Sequence, residues 1–148
     1  MNRIFLLLMI LTAFSCSKSR LSKTPKITYK SLFPRIVTAG ASNERTTISF
    51  IIEDGDGDIG FKSNNIYMKD SRDSSTVVLQ IPVIPTEYSP ERGIKGTVVI
   101  DYLAALLILR PDTAHIESDT LHWEIFIKDE AGNMSNTIIT EDLLLVRQ

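Results

Sequence analysis

Three aspartates alternate with glycines in the run Glu53-Asp54-Gly55-Asp56-Gly57-Asp58-Ile59-Gly60, which makes this segment the best candidate for metal binding in the sequence. Hard cations such as Ca²⁺ take about six to eight oxygen ligands, and carboxylates on a glycine-rich loop are a common source of them. The spacing excludes an EF-hand, because Ile59 stands where that loop needs its glycine and Asn65 where it needs a bidentate Glu. The alternative is a structural turn, since Asp and Gly are good turn formers whose side chains bond their own backbone.

A second acidic loop lies near the C-terminus, in the stretch Asp129-Glu130-Ala131-Gly132-Asn133. If strands alternate up and down, the loops after the second, fourth and sixth strands share one end of a β-sandwich. Those loops would be residues 54–60, 85–93 and 129–133, and their acids would repel one another unless a cation lay between them. The predicted Ca²⁺ ligands are therefore Asp54, Asp56, Asp58, Asp129 and Asn133.

The elements that must position these loops are strands. From Thr46 onward, short runs of alternating apolar and polar residues are separated by Gly, Asp, Asn, Ser and Pro clusters, which is the pattern of β-structure. About seven short strands predict an all-β fold, an immunoglobulin-like antiparallel β-sandwich. The predicted strands are Lys26–Leu32, Thr46–Glu53, Asn65–Lys69, Thr76–Val83, Gly96–Tyr102, Thr120–Lys128 and Asn136–Val146.

Two rows of apolar residues should face the core of this sandwich, because alternate residues of a strand share a face. One row is Ile48, Phe50 and Ile52, and the other is Leu121, Trp123, Ile125 and Ile127. Tight turns are predicted at Asp70–Ser75 and at Asp129–Asn133. The segment 103–119 is ambiguous, since Ala104–Leu107 fits either a helical turn or a continued strand.

Residues for catalysis are scarce. The two histidines, His115 and His122, stand in no metal or nucleophile motif, and the sequence contains no P-loop and no dinucleotide fingerprint. His122 and Glu124 share a strand face, which would suit a metal or acid/base pair, but a partly exposed strand position is the better explanation of His122. Trp123 fits a core anchor better than a sugar-stacking residue. We expect a protein that is not an enzyme.

Composition and charge limit the partners. The chain has 148 residues, 43% of them hydrophobic, and a formal net charge of -2, which fits one globular domain. Residues 17–45 carry seven basic residues and one acidic residue, whereas residues 46–148 carry eight basic and seventeen acidic residues. The body is therefore acidic and would repel nucleic acid, so we expect no nucleic-acid partner.

The N-terminus has the features of an export signal. Arg3 is followed by an almost entirely apolar stretch from Ile4 to Phe14, which is too short for a transmembrane helix of roughly 20 residues. Ser15 and the only cysteine, Cys16, come next, and the stretch Leu11-Thr12-Ala13-Phe14-Ser15-Cys16 resembles the lipobox of bacterial lipoproteins. The resemblance implies cleavage before Cys16 and a covalent lipid on it; the alternative is an ordinary secretory signal with an incidental cysteine.

These features divide the chain into three parts: a signal peptide at 1–15, a lipidated cysteine and flexible tether at 16–25, and a β-sandwich domain at 26–148. Acyl chains would hold the protein durably on a membrane, and basic residues of the tether could lie on an anionic leaflet. In the bacterial lipoproteins that this N-terminus resembles, surface export is associated with acidic residues just after the cysteine, and none follow Cys16 directly. The resemblance therefore implies the outer membrane, with the periplasmic face favoured. We also expect the acidic loops to face away from the membrane.

The lipobox, the stretch from Ile51 to Gly60 and the stretch from Ile125 to Asn136 together resemble a group of small, largely uncharacterised Bacteroidota lipoproteins with an immunoglobulin-like domain. The resemblance implies the fold and implies no catalytic residues. We therefore expect a lipid-anchored cell-envelope protein with a non-catalytic binding or structural domain, possible Ca²⁺ stabilisation and an envelope protein or glycan as partner. The alternative is an accessory glycan- or partner-binding component of an outer-membrane uptake system, using exposed aromatics such as Tyr88 or Tyr102.

Two tripeptides, Asp112-Thr113-Ala114 and Asp119-Thr120-Leu121, resemble the sequon for O-glycosylation in exported Bacteroidota proteins. Thr113 is the better candidate because Thr120 is predicted to begin a strand. A plain turn before a strand explains both tripeptides as well.

Overall fold

The computed structural model describes residues 21–60, 65–82, 93–110 and 117–147. Within these ranges the chain forms ten β-strands and one short 3-10 turn, and no helix there is long and apolar enough to cross a membrane. The elements are β1 (Lys26–Phe33), β2 (Ile36–Thr38), β3 (Arg45–Asp54), β4 (Ile66–Asp70), β5 (Thr76–Leu79), β6 (Ile94–Leu103), the 3-10 turn Ala104–Leu106, β7 (Ser118–Leu121), β8 (Trp123–Ile127), β9 (Ile138–Ile139) and β10 (Leu143–Val146).

The strands form three hydrogen-bonded sheets, in the orders β1-β3-β6, β5-β4-β8-β9 and β2-β10-β7. Every pair of strands is antiparallel except β2 and β10, which run parallel. Buried residues from all three sheets belong to one hydrophobic core. The predicted all-β sandwich is confirmed.

Both predicted core rows are buried. Ile48 and Phe50 of β3 have no exposed surface, and the row on β7 and β8 is buried throughout. Trp123 is 2% exposed and its ring lies 5.4 Å from that of Tyr102 on β6, so it connects two sheets across the core. Trp123 is thus a core anchor, as predicted, and Tyr102 is a half-buried core neighbour rather than the exposed aromatic that the sequence suggested.

The predicted strand Thr120–Lys128 is two strands, β7 and β8, that belong to different sheets. The break falls at His122, whose N–H donates to the Ser71 hydroxyl at 3.0 Å and whose carbonyl accepts from the Ser71 N–H at 3.1 Å. His122 is therefore paired with the β4–β5 turn instead of with a strand. The apolar alternation continues through the break, which is why the sequence shows one strand.

The predicted strand Asn136–Val146 is also divided, into β9 and β10, which pair with different sheets. Thr140 makes the transition: its N–H donates to the Trp123 carbonyl and its hydroxyl accepts from the Trp123 N–H, both at 3.0 Å. The short strand Ile36–Thr38, missed by the sequence analysis, pairs with β10. Three residues are too few to show an alternation pattern.

The predicted turns are present. The N–H of Asp70 donates to the Ser75 carbonyl at 2.9 Å, and the N–H of Asp129 donates to the Asn133 carbonyl at 3.1 Å. Gly132 has a φ of 91°, which favours glycine in the second turn. Of the two alternatives for residues 104–107, a helical turn is right, since Ala104–Leu106 is a 3-10 turn.

One end of the sandwich carries the loops 54–60 and 129–133 and is called the acidic end. The chain enters the sandwich there. Lys26, the first residue of β1, pairs with Glu53 at the end of β3, because the two strands are antiparallel. The acidic run from Asp54 follows β3 directly. The expectation that the acidic loops face away from the membrane would need them to lie opposite the tether, whereas the topology places the start of β1 and the acidic run at the same end.

Arg72, in the β4–β5 turn, is the centre of a nearly buried ion-pair network. Its guanidinium donates to Asp70 at 2.7 Å, to Asp119 at 3.2 Å and to the Ile108 carbonyl at 2.9 Å. The side chains of Arg72, Asp70 and Asp119 are 9%, 12% and 4% exposed. Arg110 adds a second ion pair to Asp119 at 3.0 Å. The network joins the β4–β5 turn to β7.

Replacing Arg72 with Ala should lower the free energy of unfolding by about 3 kcal/mol, because it leaves the Asp70 carboxylate buried without its cation. Arg35→Ala is the control: Arg35 pairs with Glu141 at 3.2 Å, but both side chains are about half exposed. That variant should change stability by less than about 1 kcal/mol. Urea unfolding measures both, and equal effects of the two substitutions would contradict the role given to Arg72.

Candidate metal centre

Asp54 is placed by the alternation of β3. The inward positions of this strand include Ile48, Phe50 and Ile52, and Asp54 is the next residue on the same face. Its exposure is 0%. β3 pairs with β1 as far as Glu53 and with β6 as far as Asp54, so the ladder fixes the face of the sheet on which this carboxylate lies. The sequence thus forces an acidic side chain to the inner face at the end of the sandwich.

The loop after β3 folds its acids back towards Asp54. Gly57 and Gly60 have φ values of 71° and 93°, in the left-handed region that glycine adopts without strain. One carboxylate oxygen from each of Asp54, Asp56 and Asp58 lies within 4.8 Å of the others. The loop therefore gathers three of the five predicted ligands at one point.

Four carboxylate oxygens in this cluster are buried and accept no hydrogen bond within the described part of the chain. They are both oxygens of Asp54 and the Oδ1 atoms of Asp56 and Asp58. Buried polar atoms in folded proteins nearly always have a partner, and buried charges are otherwise paired or bind metals. Inward-facing oxygens without donors are the arrangement that a cation requires.

The second acidic loop meets the first. The Ala131 N–H donates to Asp58 Oδ2 at 3.1 Å, and the Glu130 N–H lies 3.4 Å from the Asp58 carbonyl. The topology predicted this meeting of loops. Of the third predicted loop, residues 85–92 lie outside the described part, while Gly93 packs against the backbone of Asp54: a Cβ on Gly93 would stand 2.5 Å from the Asp54 carbonyl oxygen.

The two predicted ligands from the second loop have different surroundings. Asp129 is 5% exposed, and its two carboxylate oxygens accept from the Asn133 backbone N–H at 2.7 Å and from the Asn133 side-chain Nδ2 at 2.8 Å. Its charge acts on both Asp54 and Asp58. Asp129 thus adds negative charge beside the cluster, whereas Asn133 holds Asp129 in position.

The electrostatics follow from burial and from this concentration of like charge. Burial, and then the charges of Asp56 and Asp58, raises the pKa of Asp54 to about 7. Burial, and then the charge of Asp129, also raises the pKa of Asp58. The carboxyl groups of Asp54 and Asp56 are neighbours, and a hydrogen bond between them requires a proton on one of the two groups. At neutral pH the site therefore needs either a proton or a cation.

A contact that the sequence did not predict joins the expected tether to this loop. The Gly55 N–H donates to the Ser22 carbonyl at 2.6 Å. A Cβ on Gly55 would overlap the Leu21 carbonyl oxygen and stand 2.6 Å from that of Ser22, so only glycine fits here. Pro25 is buried. Residues 21–25, assigned to the tether from their polarity, lie against the domain.

The other candidate residues are dispersed. Thr120 is an exposed residue of β7, while Cys16, Tyr88, Thr113 and His115 lie outside the described residues. His122 lies 3.3 Å from Asp142, and Glu124 lies 3.5 Å from Lys69. The structure therefore gives His122 and Glu124 separate partners and does not join them in a pair.

Comparison of the chain with models of protein families, with curated proteins and with solved structures gives no match. Function therefore has to be inferred from the acidic end itself.

The raised pKa of Asp54 predicts how stability depends on pH without metal. Between the ordinary value of 3.8 and about 7 the folded chain keeps a proton that the unfolded chain releases, so this group's contribution to the free energy of unfolding falls as pH rises through that window. In chelator, Asp54→Asn should therefore gain stability relative to the unaltered chain between pH 5 and pH 8. Urea unfolding at the two pH values measures this; a difference that does not change with pH would contradict it.

Proposed function

We propose that the protein is a lipid-anchored cell-envelope protein whose β-sandwich, of the immunoglobulin-like kind, is a non-catalytic binding or structural module stabilised by Ca²⁺. Asp54, Asp56 and Asp58 supply the ion's carboxylate ligands, with the charge of Asp129 beside them. The observation that carries the cation site is the fully buried Asp54 carboxylate, which has no hydrogen-bond donor in the described chain.

The donor set favours a hard cation. All of the gathered ligand atoms are carboxylate oxygens, and no His or Cys belongs to the cluster of described residues. Oxygen-only sites suit Ca²⁺ and Mg²⁺, and Ca²⁺ accepts the less regular geometry that a flexible loop provides. A bound cation would offset the cost of burying Asp54 and the repulsion among its neighbours.

The turn-former alternative accounts for less of the loop. Aspartates in structural turns accept hydrogen bonds from nearby backbone N–H groups, as Asp73 does from Ser75 at 2.8 Å. Asp58 Oδ2 accepts a bond from Ala131, in another loop, while both Asp54 oxygens accept none from the residues that the structure describes. Asp54 is moreover a strand residue. Turn formation alone leaves its buried charge without an explanation.

The envelope location is proposed from the sequence. An apolar stretch of signal-peptide length ends at Cys16 within a lipobox-like hexapeptide. We place the protein on the outer membrane with its domain on the periplasmic side. The chain's entry at the acidic end then orients that end towards the membrane.

An accessory role in glycan or partner binding is the second candidate. One feature favours it: Tyr67 and Phe126 stack on the outward face of the β4–β8 pair, with ring centroids 4.8 Å apart and planes 2° apart. Val78, which pairs with Tyr67, is 39% exposed. Both rings are half-buried, and the aromatic surface that remains open could stack on a sugar or anchor a protein partner.

Thermal unfolding of the full chain, purified in detergent, tests the cation site. Excess Ca²⁺ should raise the melting temperature by about 5 to 15 °C over chelator, because a ligand at 100 times its Kd stabilises the native state by about 2.7 kcal/mol. The shift should disappear when Asp56 and Asp58 are both replaced by Asn. Asp101→Asn is the control, since Asp101 is an exposed β6 residue bonded to Thr47, and it should keep the shift. Equal melting temperatures in Ca²⁺ and chelator would refute the site.

Replacing Cys16 with Ala tests the anchor separately. Without the thiol no lipid can be attached, so we expect the protein to move from the membrane fraction to the soluble fraction, while its melting temperature in Ca²⁺ stays unchanged. Fractionation followed by immunoblotting measures the distribution. Continued recovery of the variant with membranes would show that the anchor is not a lipid on Cys16.

A further inference from the structure

We infer that cation binding at the acidic end fastens residues 21–25 onto the domain, so that the ion controls how the tether leaves the sandwich. This inference rests on the proposed cation site and adds a consequence to it. It concerns the contact between the backbone of Leu21 and Ser22 and the backbone of Gly55.

The contact is close and specific. The Ser22 carbonyl accepts the Gly55 N–H at 2.6 Å. On the other side of Gly55, a Cβ on Gly93 would stand 3.0 Å from the Gly55 Cα and 3.1 Å from its carbonyl oxygen. Gly55 therefore lies between two backbone segments, and small displacements of this residue would break the contact with Ser22.

Gly55 is also the link between two of the ligands. It follows Asp54, whose buried carboxylate has no donor in the described chain, and it precedes Asp56. With a cation, the two carboxylates are drawn to one centre and Gly55 is fixed between them. Without a cation, the charges of Asp54, Asp56 and Asp58 repel within 4.8 Å. Unless the site takes up a proton, relief of that repulsion requires movement of the loop that carries the Gly55 N–H.

The coupling has a geometric consequence for a chain anchored at Cys16. With Ser22 fastened, the contact lies six residues after Cys16, and an extended chain of that length spans at most about 22 Å. With the contact broken, the next residue paired with the domain is Lys26, the start of β1, ten residues after Cys16, and the maximum span rises to about 36 Å. Cation binding would thus hold the acidic end close to the membrane.

Limited proteolysis of the detergent-purified full chain tests the inference. Endoproteinase Lys-C can cut after Lys23, an exposed residue beside Ser22, and mass spectrometry follows that cut. In the unaltered chain, Ca²⁺ should slow cleavage after Lys23 by about tenfold relative to chelator, a coupling within the usual range between linked sites. Cleavage of a free peptide of residues 17–28 in both buffers controls for effects on the protease.

The variant Gly55→Ala should remove the contact with residues 21 and 22 while leaving the Ca²⁺ ligands in place. The added Cβ would overlap the Leu21 carbonyl, whereas Gly55 does not have a positive φ, so Ala suits its backbone otherwise. This variant should still bind Ca²⁺ in a calorimetric titration, yet cleavage after Lys23 should be equally fast in Ca²⁺ and chelator. Gly96→Ala is the matched control, because a Cβ there meets nothing within 4 Å, and it should behave as the unaltered chain does.

The outcomes distinguish the two proposals. If the unaltered chain binds Ca²⁺ and cleavage after Lys23 is unaffected, the fastening is wrong and the cation site stands. If calorimetry detects no Ca²⁺ binding, both fail. If Gly55→Ala does not fold, hydrogen exchange of the Gly55 amide in the unaltered chain decides: protection in Ca²⁺ that is lost in chelator supports the fastening, and equal exchange overturns it.

Discussion

The arrangement of the acidic end depends on one constraint, the burial of the Asp54 carboxylate by the strand that carries it. Alternate residues of a strand face the same side, so the pattern that buries Ile48, Phe50 and Ile52 also turns Asp54 inward. Pairing of β3 on both edges prevents the strand from turning that side chain outward. The loop that follows contains Gly57 and Gly60 at positive φ, and its first residue, Gly55, donates its N–H to the Ser22 carbonyl.

The buried carboxylates of Asp70 and Asp119 differ from that of Asp54 in the charged groups around them. Asp70 and Asp119 receive an arginine, which pairs with both and makes them a structural joint. Within the described residues both Asp54 oxygens lack a hydrogen-bond partner, and the charges that act on its carboxyl group are those of Asp56, Asp58 and Asp129. Buried charges of the first kind stabilise a unique packing, whereas those of the second kind need a ligand from solution. This contrast within one domain separates a structural acid from a candidate binding group.

Sequence reasoning predicted what depends on local pattern. The alternation around Phe50 and Trp123 predicted the sandwich and both core rows. The expected order of the loops predicted that Asp58 would lie near the loop that begins at Asp129. Sequence reasoning missed the exchange of strands between sheets at His122, because that depends on a bond to the distant Ser71. The bond between Ser22 and Gly55 was not predicted either. A polar segment has the composition of a linker whether or not its backbone is bonded to the domain.

The antiparallel pairing of β1 with β3 has a mechanical consequence. Seven residue pairs connect the two strands, beginning with Lys26 and Glu53. If a lipid holds the chain ahead of Lys26 and a partner holds the opposite end of the sandwich, tension acts along the axis of β1. The hydrogen bonds of this ladder then share the force in shear and do not open one after another. Such a domain would resist unfolding under tension applied at its anchor more strongly than its modest size suggests.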